Sequence, residues 1–386
     1  MLLHRPLSLA LLIFFFFFPL ARAAYEIVNF GAKPGGTVDA SNALRRAWSS
    51  ACSSATPATV HVPKGTFLLH SVILSGPCKR FVTLWIEGTF VAPSNYALMP
   101  SKWITITKVN GLRITGGTLD GQGNALWACK HARRSCPHGT DTLAIGNSKN
   151  VEIIGLSSIN SKLFHISIYK TENVALRGLK IVAPEASPNT DGIHVQMSRG
   201  VTITGSSIKT GDDCISIGPG STNMWIEGIT CGPGHGISIG SLGRSLQEEG
   251  VKNITVKTAE FTGTQNGLRI KAWARDSTGF VNGVSFQHAV MKNVENPIVI
   301  DQNYCPSSHG CPSQASGIKI NQVQFWDIKG TSAKKVAVTL DCSPRNPCRG
   351  ISLRDIKLTY NGGPAKSFCC HASGTTMGVV DPSGCL

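Results

Sequence analysis

The sequence predicts an all-β fold: a right-handed parallel β-helix, or solenoid, with an N-terminal capping helix. Charged residues make up only 15% of the 386 residues, and glycine is abundant at 41. This composition favours strands and turns over a helical bundle. Short β-branched runs, broken by glycine or polar residues, recur along the chain. Only one segment, near the start, has convincing helical periodicity.

The first 23 residues have the pattern of a secretory signal peptide. An arginine, Arg5, precedes an apolar run at residues 7–18, and Ala-Arg-Ala follows, which predicts cleavage after Ala23. A membrane anchor is the alternative, but the run is too short to span a bilayer comfortably. Because no later stretch looks like a linker, we expect residues 24–386 to form a single domain. The protein is therefore expected to be secreted and extracellular.

The stretch DASNALRRAWSSAC predicts the capping helix. Its apolar residues recur at helical spacing on one face: Ala40, Ala43, Leu44, Ala47, Trp48 and Ala51. Asp39 or Ser41 is the expected N-cap. We expect this helix to cover the first coil, because an uncovered end of a solenoid would expose a sheet edge.

An in-phase tripeptide repeat predicts the solenoid. Ile193-His194-Val195, Ile215-Ser216-Ile217 and Ile237-Ser238-Ile239 follow one another at spacings of 22 and 22 residues. Leu268-Arg269-Ile270 and Ile298-Val299-Ile300 follow after 31 and 30, which allows inserted loops. Such a period suits three short strands per coil, with coils stacked about 4.8 Å apart. A β-sandwich, the alternative, would alternate but would not repeat one tripeptide in phase.

Thirteen cysteines follow the predicted signal, which fits an oxidising compartment. Their proximity in sequence predicts these disulfides: Cys129–Cys136, Cys305–Cys311, Cys342–Cys348, Cys52–Cys78, Cys214–Cys231, and Cys385 with either Cys369 or Cys370. Sequence alone cannot prove the connectivity, and the odd count leaves one thiol over. A zinc site is the alternative, but the sequence has no suitable CxxC or HxxxH spacing.

The formal net charge of +15 predicts a polyanionic partner. Acidic polysaccharide and nucleic acid are both candidates, and simple solubility is a third explanation. The export signal and the lack of interleaved aromatic residues favour polysaccharide over nucleic acid. We expect a monomer with no nucleic-acid or membrane partner. Asn253, in the sequon Asn253-Ile254-Thr255, is the predicted glycosylation site.

The repeat brings a set of ionisable residues into register. Two positions before successive tripeptides stand Asp191, Asp213 and His235, with Asp212 beside them. The next matching strand adds two cations, Arg269 and Lys271. Taken singly, each could be a turn, a solvated acidic pair, a structural histidine or ordinary strand alternation. A calcium site is a further alternative, but two nearby cations would oppose it.

This cluster suits cleavage of a glycosidic bond in an acidic sugar polymer. Carboxylates that repel one another keep at least one member protonated. A protonated acid beside an ionised one can protonate the leaving oxygen while the other activates water. The cations would hold the carboxylate of a uronic acid, and the histidine would tune the acids.

Four segments resemble the motifs of the polygalacturonases, the pectin-cleaving glycoside hydrolases. They are NTDGIHV, GDDCISIG, CGPGHGISIG and RIK, complete and in order. The start of the mature chain and DQNYC extend the resemblance, which is closest to plant members, including those of pollen. It implies a right-handed parallel β-helix that hydrolyses α-1,4-linked galacturonan of pectin with inversion. It also implies a cell-wall location and no metal or cofactor.

The resemblance implies a role for each motif residue. Asp212 would be the general acid, and Asp191 and Asp213 would hold and activate water. His235 would bond to the acidic group and support its ionisation.

The resemblance also implies the sugar-binding residues. Arg269 and Lys271 would bind galacturonate carboxylates around the cleaved bond. Asn189 would fix Asp191 or touch substrate. Tyr304 would line the sugar site, although packing beside Cys305 is an equal alternative for it.

Several alternatives stay open at the level of sequence. Stacked coils place side chains about 5 Å apart, closer than the roughly 6.5–9.5 Å typical of inverting enzymes, so spacing alone would predict retention. Exo and endo attack are not distinguished. Rival functions are a calcium-dependent lyase, a rhamnogalacturonan hydrolase and a non-catalytic pectin-binding protein on the same scaffold.

Overall fold

The computed structural model describes residues 23–307 and 309–386, so the predicted signal peptide lies outside the described residues except for Ala23. The described chain winds into a right-handed parallel β-helix. One sheet, the cleft sheet, takes one strand from each coil. In order of stacking its strands are Val72–Ser75, Lys102–Thr107, Asp141–Gly146, Ile166–Tyr169, Ile193–Gln196, Ile215–Ile217, Ile237–Leu242, Asn266–Ala272, Asn296–Asp301, Val336–Asp341 and Lys366–Cys370.

The remaining strands form the outer sheet, which bends around the other two sides of the solenoid. In chain order they are Ala23–Glu26, Ala58–Val62, Thr66–Leu68, Val82–Ile86, Thr89–Val91, Asn110–Thr115, Thr118–Asp120, Lys149–Ile154, Ser157–Ile159, Glu172–Arg177, Lys180–Val182, Arg199–Thr204, Ser207–Lys209, Thr222–Cys231, Val251–Thr262, Phe280–Val294, Lys319–Ser332, Cys348–Tyr360, Gly363–Pro364 and Ala372–Asp381. Gly363–Pro364 pairs antiparallel with its neighbour, whereas the stacked coils pair in parallel. The predicted fold class is confirmed.

The predicted tripeptide register is also confirmed. Ile193 pairs with Ile215, Ile215 with Ile237, and Ile237 with Leu268, which in turn pairs with Ile298. All five side chains are fully buried in the core. Burying an aliphatic side chain of this size contributes roughly 1.5–3 kcal/mol. Because side chains alternate along a strand, the middle residue of each tripeptide points the other way, towards the cleft.

The predicted capping helix spans Ser41–Ser53. All six of its predicted face residues are buried, and the indole of Trp48 donates to the carbonyl of Ser75 at 3.1 Å. The expected N-cap, Asp39 or Ser41, is wrong: the N-cap position is Ala40, and no side chain caps the helix. The carboxylate of Asp39 does accept from the backbone amide of Ser41 at 2.9 Å, one position outside the cap. A second helix, Asn124–His131, corrects the expectation that the first would be the only one. Two 3-10 turns, Ile27–Phe30 and Tyr96–Leu98, complete the helical segments of the described chain.

Six disulfides are present in the described chain, and all join cysteines that the sequence pairs. They are Cys52–Cys78, Cys129–Cys136, Cys214–Cys231, Cys305–Cys311, Cys342–Cys348 and Cys369–Cys385. Cys385 therefore bonds to Cys369, and Cys370 is the free thiol of the described cysteines.

The predicted glycosylation site, Asn253, is exposed on an outer-sheet strand. Its side-chain amide donates to the Oδ1 atom of Asn223 on the preceding coil at 3.0 Å. Attachment of a glycan there remains a prediction. Among the helices that the structure describes, none is long and apolar enough to cross a membrane.

Candidate active site

Two adjoining cavities lie along the face of the cleft sheet. The first, of about 500 Å³, is lined by residues that include Asp191, Asp213 and Lys271. The second, of about 790 Å³, is lined by residues of the following coils, including His235 and Arg269. Asp212 lines both cavities. A polymer that lay across both would therefore pass over Asp212.

Close stacking of the coils brings the predicted acids together. The amide of Gly192 donates to the carbonyl of Asp213 on the next coil at 2.9 Å. A Cβ atom at Gly192 would lie 2.5 Å from the carbonyl oxygen of Cys214, so only glycine fits between these coils. This glycine directly follows Asp191, and it explains why NTDGIHV requires a residue without a side chain there.

Asp212 is the most accessible of the three acids, with its side chain 17% exposed. Its Oδ1 atom accepts from the backbone amide of Asp213 at 2.8 Å and lies 3.1 Å from Nδ1 of His235. Its Oδ2 atom has no hydrogen-bond partner among the described residues. A proton on Oδ2 would therefore be available to a molecule in the cleft.

Asp213 is enclosed in a buried ion network. Its Oδ1 atom accepts from Arg269 and Ser238, both at 2.8 Å, and its Oδ2 atom accepts from Lys271 at 2.7 Å. Burial opposes ionisation, but the charges of Lys271 and Arg269 outweigh it and lower the pKa of Asp213 to about 2. Asp213 is therefore ionised at any physiological pH. The two cations, expected to hold substrate, are bound to this carboxylate.

Asp191 has a different environment. Its Oδ2 atom accepts from the Ser216 hydroxyl at 2.7 Å, and its Oδ1 atom has no partner among the described residues. Burial, together with the charges of Asp212 and Asp213, raises the pKa of Asp191 well above the usual value. Asp191 therefore holds a proton to higher pH than an isolated carboxyl would.

We expect Asp191→Asn to increase the stability of the protein at pH 7 but hardly at all below about pH 4. The raised pKa means that the folded protein keeps this proton to a higher pH than the unfolded chain does. Stability is therefore lost as the pH rises from the unfolded pKa through the folded one, and asparagine avoids that loss. Thermal unfolding of both proteins at several pH values tests this. An equal difference in melting temperature at pH 4 and pH 7 would contradict it.

Tyr304 lies directly above the buried cations. Its ring centre is 5.9 Å from the guanidinium carbon of Arg269 and 5.3 Å from Nζ of Lys271. The ring also meets Trp273 edge-on at 5.3 Å, and it lines both cavities. Tyr304 thus packs against protein and borders the cleft at the same time. Asn189 also lines both cavities, but the described contacts include no hydrogen bond from it to Asp191.

The sequence analysis missed the middle residues of the tripeptides. Ser216 and Ser238 each donate to a carboxylate of the preceding coil, and His194 contacts Ser216 at 2.8 Å. The signal that could have found them was the register that aligned the acids. An exposed cation, Arg244, was also missed; it lines the first cavity from a loop that has no repeat.

The alternative use of this cluster is to bind a metal ion. One ligand atom from each of Asp212, Asp213 and His235 lies within 4.8 Å of the others. However, both oxygens of Asp213 already accept hydrogen bonds from cations. Two fixed positive charges beside the cluster oppose a further cation, so its chemistry fits proton transfer better.

Comparison with known proteins assigns the family. The family model "Glycosyl hydrolases family 28" matches residues 52–378. The chain belongs to glycosyl hydrolases family 28. The resemblance drawn from the motifs is thereby confirmed, and so is the expectation that this protein is a glycosidase.

Similar proteins match over almost the whole chain. A polygalacturonase of Prunus persica is 55% identical, covering 99% of this chain and 99% of the relative. An exopolygalacturonase of Platanus acerifolia is 42% identical, covering 94% and 97%. The crystal structure of an endo-xylogalacturonan hydrolase from Aspergillus tubingensis has a TM-score of 0.81 at 25% identity, covering 92% of this chain and 99% of that one. The proteins similar to this chain thus include one named as exo-acting and one named as endo-acting.

Proposed function

We propose that this family 28 chain hydrolyses α-1,4-galacturonosidic bonds of polygalacturonan, the acidic backbone of pectin. The observation that carries the proposal is the position of Asp212, the one described acid of the three that lines both cavities. The basic character of the chain, at +15, supports an anionic polymer as the partner. We also propose that the protein acts outside the cell, in the cell wall, as a monomer.

Asp212 is the general acid in this proposal. Its Oδ2 atom carries the proton and delivers it to the glycosidic oxygen as the bond to the anomeric carbon breaks. His235, 3.1 Å from the other oxygen, holds the carboxyl in place and stabilises the carboxylate left behind. The transferred proton completes the hydroxyl group of the leaving sugar, so no second proton is needed.

Asp191 is the base, and Asp213 fixes the local charge. A water molecule held by the free Oδ1 atom of Asp191 attacks the anomeric carbon and gives its proton to that oxygen. When Asp212 is protonated, its carboxyl group is neutral and no longer raises the pKa of Asp191. Asp191 then ionises more readily. Attack from the face opposite the leaving group predicts inversion, as the family resemblance implies.

The cations serve the anionic substrate. Lys271 and Arg269 border the cleft while bound to Asp213. They therefore neutralise the negative charge of Asp213 where a uronate carboxylate of the substrate approaches. Arg244 has no described carboxylate partner and supplies a cation in the first cavity. Tyr304 and Asn189, which line both cavities, are positioned to contact the sugars on either side of the cleaved bond.

The purified protein is expected to release reducing ends from polygalacturonate without forming an unsaturated, ultraviolet-absorbing product. This activity should persist in the presence of a chelator, because no step requires a metal ion. A calcium-dependent lyase would give the absorbing product and lose activity with the chelator. Binding to the polymer without any new reducing ends would instead support a non-catalytic pectin-binding protein.

The same assay defines the substrate and the mode of attack. Preference for rhamnogalacturonan or xylogalacturonan over polygalacturonate would replace the proposed substrate with a branched or mixed one. Monomer in the first minutes would indicate exo attack, and a ladder of oligomers would indicate endo attack. Proton NMR of the new reducing end gives its anomeric configuration, and a retained configuration would contradict inversion.

A further inference from the structure

One part of the cleft has no role in the proposed reaction. His194 and Ser216 are middle residues of consecutive cleft-sheet strands and pair directly in the register. Neither belongs to the acids, the histidine or the cations considered above. Both nevertheless connect to Asp191, and the hydroxyl of Ser216 is its one described side-chain partner.

The hydrogen bonds run in one direction, towards Asp191. The Ser216 hydroxyl has a single proton and donates it to Asp191 Oδ2 at 2.7 Å. Nδ1 of His194, 2.8 Å from the same hydroxyl oxygen, must then be the donor to Ser216. The histidine thus prevents the serine from turning its proton away from the carboxylate.

The imidazole is held in this orientation by its surroundings. The ring of Phe164 stacks on it at a centroid distance of 4.8 Å and an angle of 29°. The side-chain amide of Gln196 lies 3.4 Å from its other nitrogen, Nε2. With the proton of the neutral ring on Nδ1, Nε2 is an acceptor, so the amide must present its NH2 group there. A histidine constrained on both sides keeps the donor at Nδ1 aimed at Ser216.

We propose that His194 and Ser216 are positioning residues that keep Asp191 ionised and oriented as the base of this enzyme. This rests on the proposed function, in which Asp191 accepts the proton of the attacking water. The base must be a carboxylate before the reaction, yet its burial and its negative neighbours work against that state. The two donors in series compensate for part of this cost.

The charged groups around this chain of donors are few. Asp212, Asp213 and Lys271 act on Asp191, and Asp213 and Lys271 act on His194. None of these groups is changed by a substitution at Ser216. A shift in the ionisation of Asp191 in a Ser216 variant would therefore report on the lost hydrogen bond itself.

The chain contains a matched control for this contact. Ser167 lies in the same middle column, paired with His194, and donates to Asp141 at 3.0 Å. This is the same serine–carboxylate contact two coils earlier, but Asp141 lines neither cavity. Substitution of Ser167 removes a buried hydroxyl of the same kind without touching Asp191.

The test is the pH dependence of kcat/KM on polygalacturonate for Ser216→Ala, His194→Phe and Ser167→Ala. We expect the acidic limb to move to higher pH by about one unit in Ser216→Ala, the change expected when a charged group loses one hydrogen bond. His194→Phe, which keeps the stacking, should shift in the same direction. Ser167→Ala should not shift, and Ser216→Thr should restore the wild-type limb. The carboxylates of the substrate ionise identically in every assay, so they do not contribute to differences between the variants.

A uniform loss of activity at every pH, without a shift, would overturn the proposal, because a purely structural role predicts that result. Thermal unfolding of Ser216→Ala and Ser216→Thr separates misfolding from a shifted profile. Asp191→Asn separates two hypotheses: that Asp191 is the base, and that Ser216 positions it. If Asp191→Asn keeps its turnover, the base assignment itself is wrong. If Asp191→Asn is inactive and Ser216→Ala is unshifted, only the positioning role fails.

Discussion

Asp212→Asn is expected to lower kcat on polygalacturonate by about a thousandfold or more while leaving binding largely intact. An amide cannot deliver a proton to the glycosidic oxygen, and general acid catalysis typically contributes 10²- to 10⁴-fold. Asparagine has the same shape as aspartate and still accepts from the backbone amide of Asp213 through its carbonyl oxygen. Initial rates of reducing-end release, with oligogalacturonate binding measured by calorimetry, give the two quantities.

The control for Asp212→Asn is Asp327→Asn. Asp327 lies on the outer sheet and accepts from Nδ1 of His288 at 2.8 Å, so it is an aspartate–histidine pair away from the cleft. Its backbone has a positive φ of 52°, which asparagine tolerates. This control should retain normal turnover. If Asp212→Asn did so as well, the acid would have to be another residue.

Asp213→Asn is expected to destabilise the fold by about 3–5 kcal/mol, in addition to its effect on activity. The change leaves Arg269 and Lys271, both more than nine-tenths buried, without their shared negative charge. An uncompensated buried charge is much more costly than a lost surface pair. Equilibrium unfolding in denaturant measures the difference in free energy.

Two further variants test whether the unpaired buried cations cause the loss of stability in Asp213→Asn. Glu260→Gln breaks an ion pair with Lys292 at 2.7 Å whose side chains are exposed, and we expect little change in stability from it. The double variant Asp213→Asn/Lys271→Met removes one of the stranded cations and should recover part of the stability without recovering activity. If Asp213→Asn and Glu260→Gln lowered the free energy of unfolding equally, the buried network would be no more important to the fold than a surface pair.

The fold was predictable because its main determinant is periodic. The spacing of the isoleucine tripeptides determines which strands stack, and the structure has the same pairings from Ile193 to Ile298. The register also brings Asp191, Asp213 and His235 to successive coils of one face. Helix Asn124–His131 was missed because it is a short insertion between coils and follows no repeat.

The contacts within the site were less predictable, because rotamers decide them. His235 bonds to Asp212 although it is in phase with Asp213, and Asp213 instead takes both cations. Side-chain direction depends on neighbouring packing, which a repeat pattern does not contain. The same limit applies to the cysteines. Adjacent residues on a strand face opposite sides, and only the folded chain shows that Cys369 is the one facing Cys385.

The disulfide Cys214–Cys231 links the geometry of the candidate active site to redox state. Cys214 directly follows Asp213, and Cys231 ends the strand that leads into the His235 turn. This covalent bond therefore joins the segment that carries Asp212 and Asp213 to the segment that carries His235. Both sulfur-bearing residues are buried. A chain held in a reducing compartment would lack this tie, and its catalytic geometry would depend on packing alone. For a protein that acts outside the cell, as we propose for this one, this bond would form in the oxidising compartment through which the chain passes.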